Sequence, residues 1–185
     1  MKNWKLDQTE VGPDLGIFKV RFDHLENPRN QKKFRVVVLE SADAANVVAI
    51  TKDKKVVMVR QLRFGIGKET IELPGGFVDA GEEDTQISAA RELVEETGYV
   101  GEDWHYLGEI ESNPAFMTSL VHHWLVKEVS IASTPDEDQD EGEYVEVICL
   151  TLDEIKENMK AGLIQHPHTL SALARVFPLW DYPEL

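Results

Sequence analysis

The stretch Glu72-Leu73-Pro74-Gly75-Gly76, followed by Arg91-Glu92-Leu93-Val94-Glu95-Glu96-Thr97-Gly98-Tyr99, decides how this chain is read. Three carboxylates fall within five residues, preceded by an arginine and closed by a glycine. On an α-helix of about 3.6 residues per turn, Glu92, Glu95 and Glu96 lie within about a third of the circumference. Ala89, Ala90, Leu93 and Val94 are left to face a core. The acids are therefore expected to converge. Like charges that close repel and raise each other's pKa unless a cation or an arginine neutralises them, and hard oxygens at short range suit Mg²⁺ or Mn²⁺. Asp84 or Thr85 is placed to cap the helix start, and Gly98 supplies a left-handed turn at its end. A Glu-Glu pair alone would equally suit the solvated face of a surface helix, so the wider pattern has to decide.

Composition sets bounds without choosing a function. A chain of 185 residues with 42% hydrophobic content is one domain's worth with an ample core. A formal net charge of −15 argues against nonspecific attraction to nucleic acid or anionic lipid. An anionic substrate would need local compensation from metal ions and placed arginines. The one cysteine, Cys149, has no partner for an internal disulfide and lies in the apolar run Tyr144–Leu150, where a buried strand position is expected. No signal peptide opens the chain and no apolar run is long enough to span a bilayer, so a cytoplasmic location is expected.

The first third reads as strands. Ile17–Asp23 and Phe34–Glu40 flank the turn-forming Glu26-Asn27-Pro28-Arg29-Asn30 and predict a hairpin. Asn46–Thr51 and Val56–Gln61 form a second pair around Lys52-Asp53-Lys54-Lys55, and Pro74-Gly75-Gly76 reads as a turn. Trp104–Glu111, His122–Val129 and Tyr144–Leu150 read as strands, Asp153–Ala161 and His168–Phe177 as helices. Without regular βαβ repetition, the expected class is α+β or an α/β sandwich.

The two quoted stretches together resemble the Nudix box, Gly-x5-Glu-x7-Arg-Glu-U-x-Glu-Glu-x-Gly-U, where U is apolar. Gly76 and Glu82 match its first spacing, and Arg91, Glu92, Leu93, Glu95, Glu96 and Gly98 its last part. There are two departures. Eight residues separate Glu82 from Arg91, so either the helix start carries an extra residue or Glu83 takes the place of Glu82. Tyr99 stands at the final apolar position. The resemblance implies the Nudix fold, a mixed β-sheet sandwiched between helices. It implies Glu92 and Glu96 as principal ligands of Mg²⁺ or Mn²⁺, Glu95 as a ligand directly or through water, and the Gly75 carbonyl as a backbone ligand. Arg91 would orient the glutamates through charge-assisted hydrogen bonds.

Residues outside the box point to a subfamily. Pro114, sixteen residues after Gly98, is similar to a mark of Nudix enzymes acting on ADP-ribose and related nucleotide sugars. Val59-Arg60-Gln61-Leu62-Arg63-Phe64 and the N-terminal hairpin also resemble ADP-ribose pyrophosphatases. The implied organisation is residues 1–43 as a hairpin region for dimerisation and base contacts, with 44–185 as the hydrolase domain. The implied assembly is a domain-swapped homodimer in which each active site borrows from the other subunit. The implied reaction is metal-dependent hydrolysis of the ADP-ribose pyrophosphate bond. GDP-mannose or another nucleotide sugar is the alternative; a triphosphate sanitiser and a non-catalytic sensor stand further back. Arg63 is a candidate pyrophosphate contact or a surface arginine. Glu72 is a candidate partner of a ribose hydroxyl or of a metal-bound water. Trp4 would stack on the base, sit in a dimer contact or anchor a core. In the resembled enzymes a base lies on an acidic loop; here Thr134–Glu143 offers several acids, with Glu143 preferred over Glu141. His122-His123 and His166-Pro167-His168 read as structural, one ring of the first pair facing inward.

Overall fold

Strands β1 (Lys5–Asp14), β2 (Lys19–Glu26) and β3 (Lys33–Glu40) form an antiparallel sheet in that order in the computed structural model, which describes residues 3–132 and 144–179. The β2–β3 ladder, running from Lys19↔Glu40 to Glu26↔Lys33, is the predicted hairpin. Strand β1 adds a third member that sequence reading did not find. Its residues Lys5-Leu6-Asp7-Gln8-Thr9-Glu10 mix polar and apolar without a buried face, and all are exposed. What holds it is the backbone ladder to β2, interrupted by two register shifts, together with bonds such as Thr9 Oγ1 to Asp23 Oδ1 at 2.9 Å. These strands and Ile110–Leu120 make one compact unit, in which Leu39 donates to the Phe116 carbonyl at 2.7 Å and receives Thr118 N–H at 3.2 Å.

The second unit, Ala44–Glu109 with the described part of Val121–Leu185, carries the remaining elements apart from Ile110, Glu111 and Leu120 at two strand ends. They are β4 (Ala44–Thr51), β5 (Val56–Arg63), β6 (Lys68–Glu72), β7 (Gly75–Phe77), α1 (Thr85–Thr97), β8 (Tyr99–Val100), β9 (Asp103–Glu111), β10 (Leu120–Ile131), β11 (Val145–Leu150), α2 (Leu152–Lys160) and α3 (Pro167–Val176). The sheet is mixed, in the order β11-β5-β4-β10-β8, with β6 on β5, β7 on β4 and β9 on β10. Only the β4–β10 pairing among the registered strands of this sheet is parallel. Alternation splits the apolar residues of β4 and β5 between its two faces. Val48, Met58, Val56 and Leu125 pack with Ile155, Ala172 and Leu173 of α2 and α3. Ala45, Val47, Ala49, Val57 and Val126 pack with Ala89 and Leu93 of α1. The result is the expected sheet between helices. Each valine, leucine, isoleucine or methionine among these side chains, fully buried, contributes about 1.5–3 kcal/mol relative to exposure. Among the described residues no helix is long and apolar enough to cross a membrane.

Pro74-Gly75-Gly76, read as a turn, continues into a strand instead. Gly75–Phe77 pairs antiparallel with β4 through Asn46↔Gly75 and Ala44↔Phe77, and Val47 N–H donates to the Pro74 carbonyl at 3.1 Å. Glycine is required there by proximity: a Cβ on Gly75 would sit 2.7 Å from Asn46 Cα. The same β4 residue anchors a buried polar contact. His123 on β10 is fully buried, with Nδ1 2.7 Å from Asn46 Oδ1 and Nε2 3.2 Å from Ser171 Oγ. It is the inward ring of the His122-His123 pair.

Burial lowers the pKa of His123 from 6.5 to about 4. The unfolded chain therefore binds the proton that the folded chain refuses between those values, so stability falls as pH drops from 6.5 toward 4. A loss on the order of 3 kcal/mol is expected across that window. Chemical denaturation at pH 7 and at pH 4.5 measures it, and His123→Gln, which cannot titrate, should show a flatter dependence. Equal slopes in the two proteins would remove His123 from the account.

Candidate active site

Helix α1 starts at Asp84, whose side chain accepts Gln86 N–H at 3.0 Å, and stops at Gly98, whose φ of 70° gives the left-handed cap. Both ends are as expected from sequence. The acids between them are not equivalent. Glu95 has a side chain 47% exposed and Glu92 one of 16%, while Glu96 as a residue is 8% exposed and belongs to the buried stripe with Ser88, Ala89, Leu93 and Thr97. The three acids thus differ in exposure from solvent to core. Among the described residues no three acidic, histidine or cysteine side chains are gathered closely enough to enclose a cation.

What faces α1 is the glycine strand. Gly75 N–H donates to Glu96 Oε2 at 2.9 Å. Gly76 leaves the space that the Glu92 carboxylate fills, and any Cβ there would overlap it. Arg91 joins the parts: Nη1 donates to Glu92 Oε1 at 2.8 Å and to Glu95 Oε2 at 3.2 Å, and Nη2 to the Phe77 carbonyl at 3.0 Å. Its Nε lies 3.5 Å from Asp79 Oδ2. Arg91 therefore orients two of the acids and fastens the strand end as well. Burial pushes the Glu92 carboxyl above its ordinary value, against the opposing pull of Arg91.

In the loop from Gly76 to the helix the two candidate glutamates differ in their contacts. Glu82 accepts the Ser88 hydroxyl and, at 3.4 Å, Asp79 N–H, whereas Glu83 is exposed. Glu82 is thus the fastened one of the two candidate glutamates. Ser88 was missed; nothing in its identity distinguished it from other small residues on the helix.

Arg63 and Glu72, read as separate contacts, are one ion pair. Arg63 Nε donates to Glu72 Oε1 at 2.8 Å and Nη2 to Oε2 at 2.7 Å, a bidentate fork. The Thr70 hydroxyl donates to Oε1, and His166 Nδ1 lies 3.0 Å from Oε2. Glu72 is 1% exposed, and Arg63, His166 and Thr70 hold its carboxyl far below the usual range despite burial. Its contribution to stability is present above the ordinary glutamate value and is lost only as pH falls through the lowered one. Sequence gave no sign that His166 would reach Glu72, since the two residues lie far apart along the chain. Pro114 is exposed in a turn where Phe116 N–H donates to the Asn113 carbonyl at 3.1 Å. Trp4 is 51% exposed, edge-on to Phe34 at 5.9 Å, so it is no core anchor. Glu143 and Glu141 lie outside the described residues.

A mixed sheet between helices, with a glycine strand laid against an arginine-tied acid helix, defines the Nudix class of domain. The NUDIX domain family matches residues 40–171, and the chain belongs to that family as a Nudix hydrolase. Among relatives, it is 35% identical to the methanol dehydrogenase activator of Bacillus methanolicus, over 85% of this chain and 83% of that protein. It is 34% identical to the ADP-ribose pyrophosphatase of Bacillus subtilis strain 168, with the same coverage of each. A crystal structure described as an ADP compounds hydrolase superposes with a TM-score of 0.81 at 20% identity, covering 95% of this chain and 93% of that one; it supports the fold.

Proposed function

We propose that this protein hydrolyses the pyrophosphate bond of ADP-ribose, or of a closely related nucleoside diphosphate sugar, to a nucleoside monophosphate and a sugar phosphate, using Mg²⁺ or Mn²⁺. The observation that carries the reading is the edge of α1 set against Gly75 and Gly76. The relative named ADP-ribose pyrophosphatase supports the choice of substrate.

The donor set fits a hard divalent cation. Glu92, Glu96 and the Gly75 carbonyl would hold it, with Glu95 directly or through water, and all are oxygen donors. An adjacent cation would draw the Glu92 carboxyl, raised by burial, back toward ionisation. When bound, such an ion offsets phosphate charge and lowers the pKa of a coordinated water. Arg91 keeps Glu92 and Glu95 oriented. Arg63 presents a planar guanidinium to the diphosphate, held in plane by Glu72. Trp4 and Pro114 are proposed to border the nucleotide. The Glu143 carboxylate is the proposed acceptor of the proton lost by the attacking water. A phosphate-release panel of nucleotide sugars, dinucleotides and triphosphates, with Mg²⁺ and with Mn²⁺, tests the reading. ADP-ribose is expected to lead, and turnover of triphosphates alone would sink it.

The working unit is proposed to be a domain-swapped homodimer. Leu6, Val11, Leu15, Ile17, Phe34 and Val37 of the N-terminal sheet are all exposed, and a small sheet with so much uncovered apolar surface gains from pairing with a second copy. Deleting residues 1–40 is expected to abolish both dimerisation and activity. A full-length protein that is monomeric by light scattering at micromolar concentration, yet fully active, would refute this.

A further inference from the structure

The corner between α2 and α3 is tied to three successive residues of the segment that leads into the active site. Ile71 N–H donates to the Leu163 carbonyl at 3.1 Å, Leu73 N–H donates to Thr169 Oγ1 at 3.1 Å, and between them His166 Nδ1 stands 3.0 Å from Glu72 Oε2. The same nitrogen lies 3.4 Å from Thr169 Oγ1, and toward Glu72, whose ionised carboxylate only accepts, it can act only as a donor. The backbone bonds are what any edge strand needs. The His166 contact is different: it adds a donor to a carboxylate that already grips Arg63 by both oxygens.

We propose that His166 is a positioning residue for anion recognition, acting on Arg63 through the Glu72 carboxylate; this rests on the reading of Arg63 as a diphosphate contact. Two effects have the same sign. Glu72 Oε2 serves both Arg63 Nη2 and His166 Nδ1, so the histidine fixes the plane of the carboxylate and with it the plane of the guanidinium fork. A donor on Oε2 also takes up part of the carboxylate's charge, leaving more of the arginine's for a ligand. Without His166, Glu72 keeps Arg63 and Thr70 but gains freedom to rotate in a pocket where His166 is only half-buried cover. The guanidinium then follows the carboxylate and loses its fixed direction. A substrate contact depends on that direction more than on the charge alone.

The probe is inorganic pyrophosphate, which has neither base nor sugar, titrated against the full chain in EDTA and followed by ³¹P NMR. Wild type is expected to bind, Arg63→Gln to lose binding, and His166→Ala to weaken it about five- to tenfold. His166→Asn, whose amide nitrogen reaches where Nδ1 stands, should restore most of it. In the Arg63→Gln background, His166→Ala should change nothing further, which a merely structural effect on the corner would not reproduce. Thermal unfolding of each variant separates collapse from displacement. The inference is overturned by wild-type affinity in folded His166→Ala, by failure of asparagine to rescue, or by wild type that does not bind pyrophosphate. Those outcomes are independent of the hydrolysis panel, whose failure would overturn the choice of substrate instead.

Discussion

Glu92→Gln and Glu96→Gln are each expected to lower turnover about 10²-fold or more while the protein stays folded. The substitution removes charge and keeps size. At position 92 the amide oxygen can still accept Arg91 Nη1, and at position 96 it can still accept Gly75 N–H, so the bonds that tie α1 to its surroundings survive. Glu96 is the sharper test, because its burial makes the lost charge more costly to replace from solvent. The measurement is kcat with Mg²⁺ and with Mn²⁺ across a metal titration, paired with thermal unfolding. A folded variant with wild-type turnover at either position would remove that residue from the metal set. Loss of activity accompanied by a collapsed unfolding transition would show that the buried glutamate holds the helix in place.

The parts of the fold legible in sequence were those set by local rules. Asp84 and Gly98 bracket α1 because capping is decided within a few residues, and the β2–β3 hairpin follows from a turn between two alternating runs. Strand β1 escaped because its ladder, not its side chains, holds it, so no buried face imprinted a period on Leu6 or Val11. Strand β7 escaped for a related reason: glycines that allow a turn equally allow a backbone to lie close against another, and only the position of Asn46 distinguishes the cases.

The site divides along the same line. Helical spacing placed Glu92, Glu95 and Glu96 on neighbouring positions, but their ranking from exposed to buried depends on where β7 lies, which spacing does not encode. Arg63 and Glu72 were both marked by their chemistry. Their union with His166 comes from pairing β5 with β6 and docking the α2–α3 corner on β6. The acidic segment proposed to supply the base was read by composition alone and lies outside the described residues.

Gly76→Ala is expected to give a folded protein with turnover reduced about as much as in Glu92→Gln, on the order of 10²-fold. The three atoms nearest the added methyl all belong to the carboxylate end of Glu92, a flexible group that can swing aside with little cost to folding. The displaced carboxylate, however, is the one proposed to hold the cation. Gly75→Ala is the matched contrast, because its methyl meets the Ala45 carbonyl and the Asn46 backbone, which cannot swing. That variant should lose stability by about 1–3 kcal/mol, the usual range for overpacking. If Gly76 acts solely by leaving room for Glu92, then combining Gly76→Ala with Glu92→Gln should cost little beyond either change alone. Fully additive losses in kcat would mean that Gly76 serves the reaction by another route, such as close approach of its backbone to substrate. Wild-type turnover in folded Gly76→Ala would mean that the position of Glu92 against the glycine strand is not the one that matters for catalysis.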